Sequence, residues 1–344
     1  MAIVTGKGLA DLIREEFGVK VTFYAMIVLI FSNIFNTLSE FAGIAASAEL
    51  FGISKYILVP ISAISIWWVI VKGTYKSVEK IFLVACVFYF SYVLSGFLSK
   101  PNWNEVVASS LHPVFKFDKA YLLMLIGVIG TTIAPWMQFY QQSSVVEKEI
   151  KIENYKYSRL DTIVGAFVVN LVAIFIVVVC ANTLFKQGIR IETAKDAALA
   201  LRPLAGKYCF YLFAFGLFNA SVFSACILPL STAYSVCEGM GWEVGVNRRF
   251  REAPQFYTLY TMIIIIGAAI IMLPNVKLVP IMLLSQASNG ILLPFVLIFM
   301  LFLVNNKRLM GKYTNSKIYN ILTVFIIIAM VGLSICLFIT SFIK

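Results

Sequence analysis

The sequence predicts an all-α polytopic membrane protein, on three observations. Of its 344 residues 60% are hydrophobic and 13% are charged, a balance too apolar for a soluble globule of that length. Apolar runs of about twenty residues, long enough to cross a bilayer as a helix, recur from one end of the chain to the other. The 28 Lys and Arg, against 17 Asp and Glu, are scattered through the short segments between those runs and do not gather into a nucleic-acid-binding stripe.

Residues 3–18 are amphipathic and too polar to span, and residues 1–20 have no central apolar run of the kind a signal peptide carries. Nine spans follow, over 22–50, 55–72, 79–98, 119–149 (broken near 133–136), 160–185, 207–238, 255–274, 278–304 and 319–342. The longest, such as 207–238, exceed the bilayer thickness and require tilt or an extramembrane extension. Loop 99–118, with Pro101, Trp103 and His112, is expected to cap the membrane part from outside, and 193–201 to form a short surface helix stopped before Pro203. With a cytoplasmic N-terminus, 17 of the 28 basic residues fall on the inside, which favours that orientation in a multi-pass protein of the cell membrane. Residues 1–344 then form a single transmembrane domain.

The six cysteines lie singly in or beside apolar runs, without metal-site or disulfide spacing, and His112 is the sole histidine. No nucleophile and base pair, phosphate loop or cofactor signature occurs, so neither an enzyme nor a resident cofactor is expected. Lipid is an expected partner; nucleic acid is not.

Polar residues inside the apolar runs carry the functional argument. Proline lacks an amide hydrogen and clashes with the preceding turn, so Pro135 in Thr131-Thr132-Ile133-Ala134-Pro135-Trp136 leaves carbonyls that no helical donor satisfies. In a bilayer such backbone is tolerated against protein or a water-filled cavity, where its oxygens can meet a cation. The alternative is a plain proline kink, but Thr131, Thr132, Gln138, Gln141 and Gln142 favour a hydrated cavity. Trp136 is either a packing residue or a wall of that cavity.

A carboxylate near the bilayer centre costs about 3 kcal/mol, which makes Glu40 a functional candidate. Asn33, Asn36, Thr37 and Glu40 recur at three- and four-residue spacing on one helix face, suited to interhelical hydrogen bonds or to an ion or proton path. Gln286, Ser288 and Asn289, ahead of Gly290 and Pro294, offer amide oxygens to a hard cation or act as glue between helices; Asn170 has the same two readings.

Val4-Thr5-Gly6-Lys7-Gly8-Leu9-Ala10-Asp11-Leu12-Ile13-Arg14-Glu15 resembles the segment between the second and third helices of the Nramp family of divalent-metal transporters. Ser285-Gln286 with Leu292-Leu293-Pro294-Phe295 resembles that family's tenth helix, so the resemblance covers almost the whole chain. It implies a LeuT-like inverted-repeat helical bundle in which the nine spans are the family's third to eleventh, the first two helices being absent, and hence an N-terminally incomplete chain. Ala134-Pro135-Trp136 stands where the family has Met-Pro-His, and Thr37 stands three residues before Glu40 where the family usually has Asp. Losing the methionine thioether removes the reason to prefer soft ions and points to the Nramp-related magnesium transporters.

The resemblance thus implies a secondary transporter that moves magnesium, or else manganese, by alternating access without obligatory proton coupling. Carbonyls at Thr131 and Ala134 would meet the ion, Gln286 would act from the facing helix, Asn170 would support it, and Thr37 and Glu40 would mark the path. A sodium-coupled organic-solute carrier on the same scaffold and an inactive fragment of a metal transporter are the competing readings.

Overall fold

The computed structural model describes residues 1–72, 84, 86–112, 114–246 and 248–342. A first turn, α1 (Ala2–Thr5), leads through Gly6 and Gly8 into α2 (Leu9–Phe51), which is bent at Gly18. There φ is 83° and ψ 164°, a conformation open to glycine and strained for any residue with a Cβ. The bend separates an amphipathic start, Leu9 to Phe17, from the apolar membrane helix beyond it.

A turn at Gly52 returns the chain into α3 (Lys55–Val71), whose N-cap Ser54 accepts from the Tyr56 amide. The span expected over 79–98 falls partly outside the described residues; within it, a 3-10 turn over Cys86–Tyr89 feeds α4 (Phe90–Leu98). Loop 99–118 holds α5 (Trp103–Leu111), capped by Asn102. The run over 119–149 is two helices, α6 (Lys119–Thr132) and α7 (Pro135–Glu147).

Next come α8 (Tyr155–Thr183), the surface turns α9 (Ala194–Ala198) and α10 (Arg202–Ala205), and the long α11 (Cys209–Met240). Thr193 and Asp196 close a reciprocal capping box on α9. The chain continues through α12 (Pro254–Met272), α13 (Leu278–Asn305), the short α14 (Lys307–Met310) and α15 (Lys317–Phe342). Among the described residues, seven helical stretches are long and apolar enough to cross a membrane. Phe31, Ile64, Phe167 and Phe325 point outward, as lipid-facing side chains would.

The membrane part of α2 is the central post. Phe41, Ala42 and Ala45 pack with Ile66 of α3, Ala225 and Tyr234 of α11, and Phe256 and Tyr260 of α12. Lower on the same helix Met26 and Leu29 join Leu12 and Ile13, beyond the bend, against Phe139 of α7 and Val296 of α13. Ile126, Leu293 and Met330 link α6, α13 and α15.

Helices in lipid gain little from hydrophobic burial against each other, so close backbone approach carries much of the packing. The tightest such contact joins α6 and α13. A Cβ on Gly130 would overlap the Gln286 carbonyl oxygen and the Gly290 nitrogen, and would stand 2.9 Å from Gly290 Cα. Those are backbone atoms and cannot rotate away. Gly130→Ala is therefore expected to destabilise the bundle by about 1–3 kcal/mol, seen as a lowered midpoint of thermal unfolding in detergent. Gly165→Ala, with open space around it, should leave the midpoint within error.

Candidate functional site

The break between α6 and α7 lies at Ile133 (φ −128°, ψ 72°) and Ala134 (φ −74°, ψ 140°), the first of which ends α6 and the second of which caps α7. Pro135 is the first residue of α7, where its missing amide hydrogen costs the helix nothing. The same missing hydrogen denies the Thr131 carbonyl its helical donor four residues on. The Ile133 amide still bonds Ile129 at 3.0 Å. The Ala134 carbonyl accepts from the Met137 amide at 3.1 Å, so one of its lone pairs is already engaged and one is left for another ligand. Ala134 and Pro135 are buried, whereas the side chains of Thr131 and Thr132 are exposed.

Beside this break runs a chain of amides and hydroxyls from three helices, which ends on a main-chain carbonyl of α7. Asn36 of α2 and Asn289 of α13 exchange two hydrogen bonds of 2.8 Å. Asn289 Oδ1 also accepts from Ser32 at 3.2 Å, and its Nδ2 also donates to Gln286 Oε1 at 3.3 Å. Asn33 donates to Thr232 of α11 at 2.8 Å. The neighbouring Ser231 donates to the Trp136 carbonyl in the first turn of α7 at 3.2 Å. The polar contacts thus begin beside Gly130, where the Gln286 backbone touches α6, and return to the break on its other side.

The structure brings some of the expected residues together and turns others away. Gln286 is half-buried on the helix that faces the break. Thr37 is fully buried, but its hydroxyl donates to its own helix at the Asn33 carbonyl (2.8 Å) and its methyl packs toward Gly267 of α12. Glu40, also half-buried, stands within electrostatic reach of Tyr89, whose hydroxyl accepts from Asn219 at 3.1 Å. Trp136 packs against the apolar cluster of Leu12, Met26 and Phe139. Asn170 is exposed and donates to Ala166 of its own helix at 2.8 Å. It shares with Thr132 a groove of about 650 Å³ that runs to Asn102 and Glu105 of loop 99–118 and to Asn182 and Lys186.

Sequence reasoning missed Ser32, Ser231 and Thr232, because isolated hydroxyls in apolar runs usually bond their own helix. It also missed Glu238, which sits at the last residue of an expected span and yet is only 6% exposed. Among the described residues no group of three or more His, Cys, Asp or Glu could hold a metal ion.

A discontinuous helix lined by buried amides, set in a bundle of apolar helices, defines a multi-pass membrane protein with a polar centre. The chain belongs to the Nramp family: the family described as natural resistance-associated macrophage protein-like matches residues 1–340. The divalent metal cation transporter MntH of Clostridium acetobutylicum is 27% identical over 270 residues, 75% of this chain and 58% of that protein. MntH of Bacillus subtilis is 25% identical over 353 aligned positions, covering 99% of this chain and 80% of the relative. The natural resistance-associated macrophage protein 2 homolog of Dictyostelium discoideum is 26% identical across 97% of this chain and 54% of its own length. The chain therefore spans little more than half the length of the first and last of these relatives. A crystal structure of the Eremococcus coleocola manganese transporter superposes with a TM-score of 0.76 at 18% identity, over 96% of this chain and 74% of that one. The LeuT-like helical bundle expected from the sequence is the fold of this chain.

The amide pair gives a direct test of the polar chain. In a double-mutant cycle of Asn36→Ala and Asn289→Ala, read from unfolding in mixed micelles, the coupling energy is expected near 1 kcal/mol. Independent, additive effects would place the two amides apart.

Proposed function

We propose that the chain carries a divalent cation across the membrane by alternating access, magnesium first and manganese second. The observation that carries the reading is the unwound Ile133–Ala134 segment, which follows Gly130, the point where the Gln286 main chain of α13 meets α6. Discontinuous helices of this kind expose carbonyl oxygens that suit a cation. The names of the relatives, divalent metal cation transporter and manganese transporter, favour the same substrate class.

In this reading the Thr131 and Ala134 carbonyls contact the ion or its inner waters. Gln286 adds an amide oxygen from α13. Asn170 lines the outer groove and acts at a distance, on ions that approach through it. Glu105 and Asn102 stand along the same lining, where they would hold a hydrated cation loosely.

The choice of magnesium rests on ligand chemistry. Magnesium gives up water reluctantly and binds through oxygen, whereas a thioether favours softer ions. Ala134 offers no thioether where the family has one, so the ligands left to the ion are oxygens. Proton coupling has little to work with at Thr37, since its hydroxyl is bound to Asn33. Entry is then driven by the membrane potential, which supplies about 2.3 kcal/mol per charge for each 100 mV.

Reconstituted vesicles with an inside-negative potential and no pH gradient should take up magnesium. Ala134→Met should move the magnesium-to-manganese preference about tenfold toward manganese, equivalent to about 1.4 kcal/mol. Gln286→Ala should lower uptake of both ions. Strong proton-linked manganese flux with no magnesium flux from the unsubstituted chain would overturn the selectivity.

A further inference from the structure

We propose that Glu238 is a positioning residue for transport: its carboxylate holds the inner half-helix α7 against α11 and the start of α2, and release of that contact lets α7 move. The proposal rests on the reading of the chain as an alternating-access carrier. It concerns the end of the bundle opposite the outer groove and shares no residue with the ion site.

Glu238 lies in the last turn of α11, 6% exposed, with Oε2 buried and without a hydrogen-bond partner. That oxygen rests against Gly8, the N-cap of α2, so closely that a Cβ on Gly8 would overlap it. A carboxylate at this point faces the free amide end of a helix, where negative charge is favoured. Asp11 of the same turn opposes it, and Arg14 pairs with Asp11 at 3.0 Å while lying over Gly241. Beyond the Gly18 bend, Gly239 meets Thr22 and Met26. The end of α11 is thus wedged into the elbow of α2, touching it on both sides of the bend.

The third partner is α7. Ser143 is buried within hydrogen-bonding reach of Glu238, but its hydroxyl is also placed on the Phe139 carbonyl at 3.2 Å. A hydroxyl has one hydrogen to give, so Ser143 has two competing acceptors. The residue before it, Gln142, is 7% exposed and has a buried, unpartnered Oε1. A buried carboxylate oxygen without a donor at a three-way helix contact, beside a serine shared between two acceptors, makes this arrangement expensive to keep. A permanent packing position would be better filled by a leucine or by a paired amide. Because α7 begins at Pro135, any shift at Ser143 is transmitted along about 12 Å of helix to the Ala134 carbonyl.

Cys237, next to Glu238 and fully buried, is a built-in reporter of opening. The full chain in vesicles is treated with N-ethylmaleimide, and Cys237 modification is followed by peptide mass spectrometry with and without saturating magnesium. In the unsubstituted protein magnesium should change the modification rate at least threefold. Glu238→Gln should abolish that response, and Glu238→Asp should restore part of it. Ser143→Ala should weaken it, and this variant carries the test if Glu238→Gln does not fold. A full magnesium response in Glu238→Gln or, where that variant does not fold, in Ser143→Ala would overturn the proposal. Absence of divalent flux in the unsubstituted chain would instead bring down the carrier reading, whereas intact flux with a magnesium-insensitive Cys237 would bring down the role of Glu238 alone.

Discussion

Asn289 is the constraint on which the centre of the molecule depends. Both of its amide hydrogens are donated, to Asn36 and Gln286, and its oxygen accepts from Asn36 and Ser32. In water such a network would trade evenly with solvent. Away from water each of those groups would be costly to leave unpaired, so the three bonds that cross between the helices fix the rotation of α13 against α2. Since α13 also lies backbone to backbone on α6 at Gly130, the orientation set at Asn289 decides which face of α13 meets the break. Gln286 meets α6 at Gly127 and Gly130 because Asn289, three residues on, is at α2.

The same geometry explains what was legible in the chain. Hydropathy marks apolar helices directly, because the bilayer selects for length and composition before any contact forms. Pro135 announced the discontinuity for a similarly local reason. The bend at Gly18 was less visible: a glycine inside a helical pattern signals either a cost or a hinge, and the pattern on both sides of it stays helical. The amphipathic character of residues 3–18 hinted at the change of direction without giving its angle.

Long-range pairing was the illegible part. Three- and four-residue spacing put Asn33, Asn36 and Thr37 on one face of α2, but that face meets three helices. Asn33 goes to α11, Asn36 to α13, and Thr37 toward α12 while satisfying itself on its own backbone. Nothing local distinguishes a threonine that bonds its own helix from one that lines a path. Glu238 escaped notice for another reason. A charge at the end of an apolar run usually reaches water, and here the elbow of α2 folds over that end and closes it off.

A site made from main-chain oxygens has a different relation to its sequence than one made from side chains. In the site proposed above, the residues that own the carbonyls, Thr131 and Ala134, could vary without removing the oxygens. What must be kept is the shape that presents them: Pro135 to leave the Thr131 oxygen without a helical donor, and Gly130 and Gly290 to bring α13 within touching distance. Selectivity then moves to whatever fills the space beside those oxygens. At position 134 a long thioether would contribute a soft ligand, whereas a methyl group contributes none, and on the proposed reading an ion that prefers to stay hydrated would gain by the exchange. In the proposed site, backbone geometry would set where a cation can rest, and one side chain next to it would set how much of its hydration shell it must surrender.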